Sequence, residues 1–167
     1  MTPDTPEPIK IPYLDDDEIR ARAEEWLAEA HPSGAIPIPI ELIVERQGID
    51  IVPLPGLRSV SGFEGATSSD CRTIFVDADR SEKYERRYRF TLAHEVAHVV
   101  LHRDLFSSVA SVSSKEEWIA ANQRLTDATG GSVEYQANCF AGLVLVPPAH
   151  LDAVVARILP DVKAMIQ

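Results

Sequence analysis

The sequence predicts one domain that mixes α-helices with a few short β-strands. Three observations point there. The chain has 167 residues, a length that suits a single hydrophobic core. Apolar residues recur at helical spacing in its first third and again through its second half. Between these parts, residues 49–77 hold short β-rich runs separated by proline, glycine, serine and aspartate. Hydrophobic residues make up 45% of the chain, ordinary for a protein that folds in water. No apolar run nears the length needed to cross a bilayer, so no membrane partner is expected.

Residues 1–12 (MTPDTPEPIKIP) are polar and proline-rich and lack a signal-peptide core. They are expected to be a disordered tail, with residues 13–167 as the single domain. The first helix is expected at 15–30. Asp15, Asp16, Asp17 and Glu18 put negative charge at its positive end, and Ile19, Ala23, Trp26, Leu27 and Ala30 make its apolar stripe. Pro37 and Pro39 open a short second helix through Ile40, Leu42, Ile43 and Val44, closed by Gly48. Residues 49–54 read as a short strand. Residues 60–64 and 72–77 read as two more, joined by a glycine-, serine- and aspartate-bearing loop at 65–70. A long helix is expected at 82–102, then a serine-rich loop at 107–114. Ser114-Lys115-Glu116-Glu117 fits a capping box and starts a helix through Trp118, Ile119 and Leu125. Gly130 and Gly131 break the chain. Ser132 can cap a helix at 133–145, ended by Pro147 and Pro148, and 152–159 is a final short helix.

The helix at 82–102 carries His94-Glu95-Val96-Ala97-His98, an H-E-x-x-H pattern. Histidines four apart on a helix project from one face, one turn above the other, so both imidazoles can meet a single metal ion. Zinc prefers such nitrogen donors, and a catalytic site leaves one position open for water. Glu95 lies where a carboxylate can take a proton from that water. The chemistry predicted is metal-assisted hydrolysis of a peptide bond. The bland alternative is a solvated helix with polar histidines on its surface. Phe90, Leu92, Ala93, Val96, Ala97, Val99, Val100 and Leu101 argue against it, because they make the segment apolar nearly all round. Buried polar groups need partners, and a metal ion satisfies both imidazoles together.

A catalytic zinc needs a third protein ligand. His102 follows His98 by four residues, but it sits eight beyond His94, roughly 12 Å of helical rise, so one ion cannot reach both. It reads as a residue that supports the site from behind, or simply as a histidine favoured at a helix carboxyl end. Among acids, Glu116 and Glu117 look like first-turn residues of a capping box, whereas Glu134 opens an apolar, small-residue helix that should pack on the core. Asn138, one turn beyond Glu134, can orient a ligand. The residues alone do not choose among these acids.

At this point a resemblance becomes specific. The stretch Arg89-Phe90-Thr91-Leu92-Ala93-His94-Glu95-Val96-Ala97-His98-Val99-Val100-Leu101-His102 resembles the core of the ImmA/IrrE family of zinc metallopeptidases. The stretch Glu134-x-x-Ala137-Asn138-x-Phe140-Ala141, followed by Leu143, Leu145 and Pro147, is similar to that family's second motif. The looser likeness runs over residues 36–147. The resemblance implies His94, His98 and Glu134 as metal ligands and Glu95 as the catalytic acid/base, a gluzincin-like metalloendopeptidase. Val146 stands where the family often has methionine, a conservative departure that leaves the implied catalytic residues unaffected. The implied fold is α+β, a small twisted sheet packed on helices with the zincin-like active-site helix beneath it. The implied setting is cytoplasmic, and the implied partner is a protein substrate, a helix-turn-helix repressor whose cleavage releases genes of stress response or mobile-element transfer. Two rival roles accompany it: sequestering a repressor without cutting it, or acting as the toxin of a toxin–antitoxin pair.

The remaining signals bound this reading. A net charge of −10 disfavours direct nucleic-acid binding; it can attract a basic partner or merely keep the protein soluble. Cys71 and Cys139 make neither a disulfide framework nor a C-x-x-C zinc site; reduced thiols are expected, with a single bridge as the alternative. Zinc suits the nitrogen and carboxylate donors, and manganese or iron accepts similar ones. Tyr84, Tyr88 and Tyr135 are candidates to assist the developing oxyanion, with nothing to select among them. The strand at 72–77 is either the edge that an extended substrate pairs with or an inner strand with no such role. The oligomeric state has no signal in the sequence.

Overall fold

Asp15 starts the first helix by closing a capping box. In the computed structural model, which describes residues 13–108 and 131–166, the Asp15 carboxylate accepts from the Glu18 amide at 2.8 Å and Glu18 accepts from the Asp15 amide at 2.9 Å. The helix, α1, spans Asp16–Ala30 and buries Ile19, Ala23 and Trp26, as its apolar stripe requires. Helix α2 spans Ile40–Arg46 and ends at Gly48, whose φ of 72° only glycine adopts without strain. Strand β1 spans Asp50–Leu54.

The next segment departs from expectation. Residues 60–64 are not a strand. Helix α3 spans Leu57–Ser61, and the strand that follows, β2, occupies Gly65–Thr67, where a loop was expected. Leu57 and Ser61 are the buried positions, four apart as on a helix, while Val60 is 64% exposed. The run that looked β-rich therefore has helical burial. Gly65 is a strand residue for a steric reason: a Cβ there would lie 2.5 Å from Thr91 Cγ2 and 2.9 Å from Glu95 Oε1. Only glycine lets the strand approach the long helix so closely.

Strand β3 spans Thr73–Asp77 and completes a three-stranded sheet in the order β1-β3-β2. β1 runs parallel to β3 with Ile51 opposite Ile74, and β2 runs antiparallel with Ala66 opposite Phe75. β3 is thus paired on both sides. The possibility that it offers a free edge is overturned; among the described residues β1 and β2 are the edges. Pro53 fits this order, since a proline is tolerated on an edge strand.

The long helix begins later than expected. Residues 78–83 form a separate short helix, α4 (Ala78–Lys83), and the chain breaks at Tyr84 before α5, Glu85–Leu101. α5 buries Leu92, Ala93, Val96, Ala97, Val99 and Leu101 between the sheet and its helical neighbours. Helix α6 spans Arg103–Ser108, so Ser107 and Ser108 are helical rather than loop. The rest of the serine-rich stretch and the helix expected after Ser114 lie outside the described residues. Helix α7 spans Ser132–Leu145, with Gly131 (φ 80°) rather than Ser132 at the cap position. The last helix, α8, spans Pro148–Ile166, longer than the short helix expected, and continues through Pro160.

α7 packs on both α5 and α1, and its Phe140 is fully buried against Trp26, ring centroids 5.9 Å apart. The core gathers Ile19, Ile43, Ile74, Leu92, Val96, Phe140 and Val144. The fold is α+β: a small mixed sheet on one side of α5 and helices on the other. Among the described residues, no single helix is long and apolar enough to cross a membrane. Cys71 and Cys139 are both free thiols.

Candidate active site

The histidine pair stands as helical spacing dictates. His94 and His98 face each other across one turn of α5, with their Nε2 atoms 3.2 Å apart. α7 supplies the acid. Ala93 and Ala97 on α5 and Ala137 and Ala141 on α7 are all fully buried, and such small residues let packed helices approach closely. The packing brings Glu134, in the first turn of α7, to the imidazoles: Oε2 is 3.1 Å from His94 Nε2 and Oε1 is 3.7 Å from His98 Nε2. One donor atom from each residue lies within 4.8 Å of the others. His98 is buried, His94 nearly so, and the Glu134 side chain is 40% exposed, so the cluster opens to one side.

Each imidazole is held from behind. Asn138 Oδ1 lies 3.1 Å from His94 Nδ1. His98 Nδ1 lies 3.1 Å from His102 Nδ1, and His102 Nε2 lies 2.9 Å from Gln136 Oε1. His102 is the residue just past the end of α5 and is only 1% exposed, so the helix-end position and the place behind His98 coincide. Asn138 has the supporting place the sequence suggested. Gln136 and Thr67 were not singled out. The signal for Gln136 was available, since its position falls on the buried face of an otherwise apolar helix; Thr67 carried none.

Glu95 is 4% exposed, and Thr67 Oγ1 donates to its Oε2 at 2.9 Å. Burial pushes the Glu95 carboxyl up to about 7, against the opposing pull of His94 and the Thr67 hydrogen bond; the nearby Glu134 carboxylate adds to the rise. Burial holds His98 well below the usual imidazole range, and its neighbours His94 and His102 lower it further. Burial also works to lower His94, but the hydrogen bond and charge of Glu134, the charge of Glu95 and the Asn138 contact outweigh it and raise that imidazole. The two carboxylates thus create a local field that favours a cation between them.

Above the cluster lies a cleft of about 630 Å³, lined by His94, Glu95, His98, Glu134, Gly65, Ala66 and the rings of Phe63, Phe90 and Phe106. Arg58, Arg86 and Arg87 stand at its wall, with Arg58 and Arg87 both paired to Glu64. Among the described residues β2 is bonded to β3 along one edge only, and its Gly65 and Ala66 line the cleft. None of the three candidate tyrosines does. Tyr88 donates to Glu41 at 2.9 Å, Tyr135 donates to Asp16 at 3.0 Å, and Tyr84 is exposed. Glu116 and Glu117 lie outside the described residues.

The donor chemistry fits a divalent cation: two imidazole nitrogens and one carboxylate converge, and a second carboxylate stands beside them. A buried histidine pair, an acid from a second helix and a cleft bounded by a sheet edge are the parts of a metallopeptidase-type centre. The chain belongs to the Peptidase_M78 family, whose model, described as the IrrE N-terminal-like domain, matches residues 44–164. That span contains His94, Glu95, His98 and Glu134, and it places the protein among the proteases. No curated protein matches the chain.

Proposed function

We propose that the protein is a zinc-dependent endopeptidase in which His94, His98 and Glu134 hold the metal and Glu95 is the general acid/base. The observation that carries this reading is the approach of Glu134 to 3.1 and 3.7 Å from the two Nε2 atoms, from a helix some forty residues further along the chain. When bound, the zinc ion acts as a Lewis acid, acidifying water and polarising a carbonyl.

The chain's own groups do the rest. Glu95 takes the proton from the attacking water and delivers it to the leaving amine. Thr67 donates to Oε2 and so keeps the other oxygen turned to its task. An extended substrate adds to the free edge of β2, where Gly65 and Ala66 line the cleft, and the phenylalanine rings receive its side chains. The substrate class we infer is a DNA-binding helix-turn-helix repressor, cut in the cytoplasm to release the genes it silences; this rests on the resemblance to the ImmA/IrrE family.

The test uses the purified full chain and the repressor encoded beside it. Elemental analysis should return about one zinc per chain, an expectation that follows from a single three-ligand site. Incubation should give defined repressor fragments that vanish with a chelator and with Glu95→Gln. Stoichiometric capture with no fragments would instead assign sequestration, and a chain that carries no divalent metal after reconstitution would overturn the metal centre.

A further inference from the structure

We propose that His102 and Gln136 form a buried positioning relay that keeps the proton of His98 on Nδ1, so that His98 Nε2 faces the metal site as a lone pair. The inference rests on the metal-centre reading above and adds to it two residues outside the ligand set.

A side-chain amide oxygen only accepts hydrogen bonds. Gln136 Oε1 lies 2.9 Å from His102 Nε2, so that nitrogen carries a proton. A neutral imidazole has one N–H, which leaves His102 Nδ1 as a lone pair. His98 Nδ1 is 3.1 Å from it. Two lone pairs at that distance repel, so His98 Nδ1 must donate. Its Nε2 is then a lone pair: in the metal-free chain it faces His94 Nε2 at 3.2 Å, a nitrogen that carries a proton because the Glu134 carboxylate 3.1 Å away only accepts, and a cation can take that proton's place.

Burial makes the relay matter. His98, His102 and Gln136 are 4%, 1% and 3% exposed, so water does not replace a lost partner there. His94 is oriented in the same sense by Asn138, but Asn138 is exposed and water can take its place. The two ligands therefore differ in how much they depend on protein for their tautomer. His102 cannot itself reach an ion held by His94, since eight residues of helix separate them by roughly 12 Å. It acts through His98, as an acceptor behind a ligand.

The experiment has two readouts independent of hydrolysis. Nitrogen NMR of the metal-free full chain should show His98 as the Nδ1–H tautomer. Competition against a chromophoric chelator should show that His102→Leu, which fills the space without an acceptor, weakens zinc binding by about 10–100-fold. His102→Asn sets an oxygen near the place of Nδ1 and should stay within a few-fold of wild type. A merely structural role would lower the melting temperature in both variants and leave the tautomer alone. A metal-free wild type with the proton on His98 Nε2, or a His102→Leu variant with undiminished zinc affinity, overturns the relay while the metal centre stands. A wild type that binds no zinc overturns both. Should His102→Leu fail to fold, Gln136→Leu and the wild-type spectrum decide: an unchanged His98 tautomer and zinc affinity in Gln136→Leu would remove Gln136 from the proposal.

Discussion

Replacing Glu95 with glutamine should make the metal-free protein more stable, and more so at alkaline than at acidic pH. Burial raises the Glu95 carboxyl from 4.5 to about 7. In this interval the folded chain binds a proton that the unfolded chain has released. Stability therefore falls as pH rises through the window, and the full penalty, about 3 kcal/mol, is present above about pH 7. Below pH 4.5 both states hold the proton and the penalty vanishes. Glutamine has the same shape, stays neutral throughout and still offers an oxygen to Thr67. Glu95→Gln should thus gain up to about 3 kcal/mol at pH 8, or roughly 6–12 °C in melting temperature for a chain of this size, and little at pH 4.5. The assay is denaturant unfolding of both proteins in excess chelator at the two pH values. A variant no more stable than wild type at pH 8, or one that gains equally at both, would show that burial does not destabilise this carboxylate. If Glu95 is the general acid/base proposed above, the same variant should still bind zinc and lose hydrolysis, the usual trade of stability for a reactive group.

Three further outcomes follow from the geometry. On the proposed metal centre, Glu134→Ala should cut zinc affinity by at least about 100-fold, read by chelator competition, because it removes one of the three proposed ligands. Gly65→Ala should destabilise the fold by about 1–3 kcal/mol and lower activity, since the new Cβ meets Thr91 Cγ2 at 2.5 Å and forces β2 away from α5. Adding Thr91→Ser, which deletes that methyl, should recover part of the loss in a double-mutant cycle of unfolding free energies. Phe140→Ala should cost about 3–5 kcal/mol of stability by chemical denaturation, because a fully buried ring that packs on Trp26 leaves a cavity between α7 and α1.

The legible parts of this chain were those set by neighbours in sequence. The His94 and His98 pair, the Asp15 helix start, and the strands at β1 and β3 follow from spacing and local residue type, and they stand where the pattern put them. The segment around Val60 misled because a short alternating run fits either period. Leu57, just before it, belongs to the helical one, and Gly56 at φ 70° starts the turn. β2 was hidden by Gly65, which looked like a loop residue and is a strand residue pressed against α5. The sequence leaves His102 divided between helix end and site support because Gln136, its partner in the fold, comes from a helix thirty-four residues away.

The sequence by itself determined that two imidazoles share one helical face with an acid next to the first, since a turn of helix is a local object. Only the tertiary structure brought Glu134 to them, set a strand edge along the cleft and placed groups behind the histidines. These depend on how α7 and β2 settle against α5, and the packing of surfaces tens of residues apart is written in the shape of the whole core rather than in any one stretch of it.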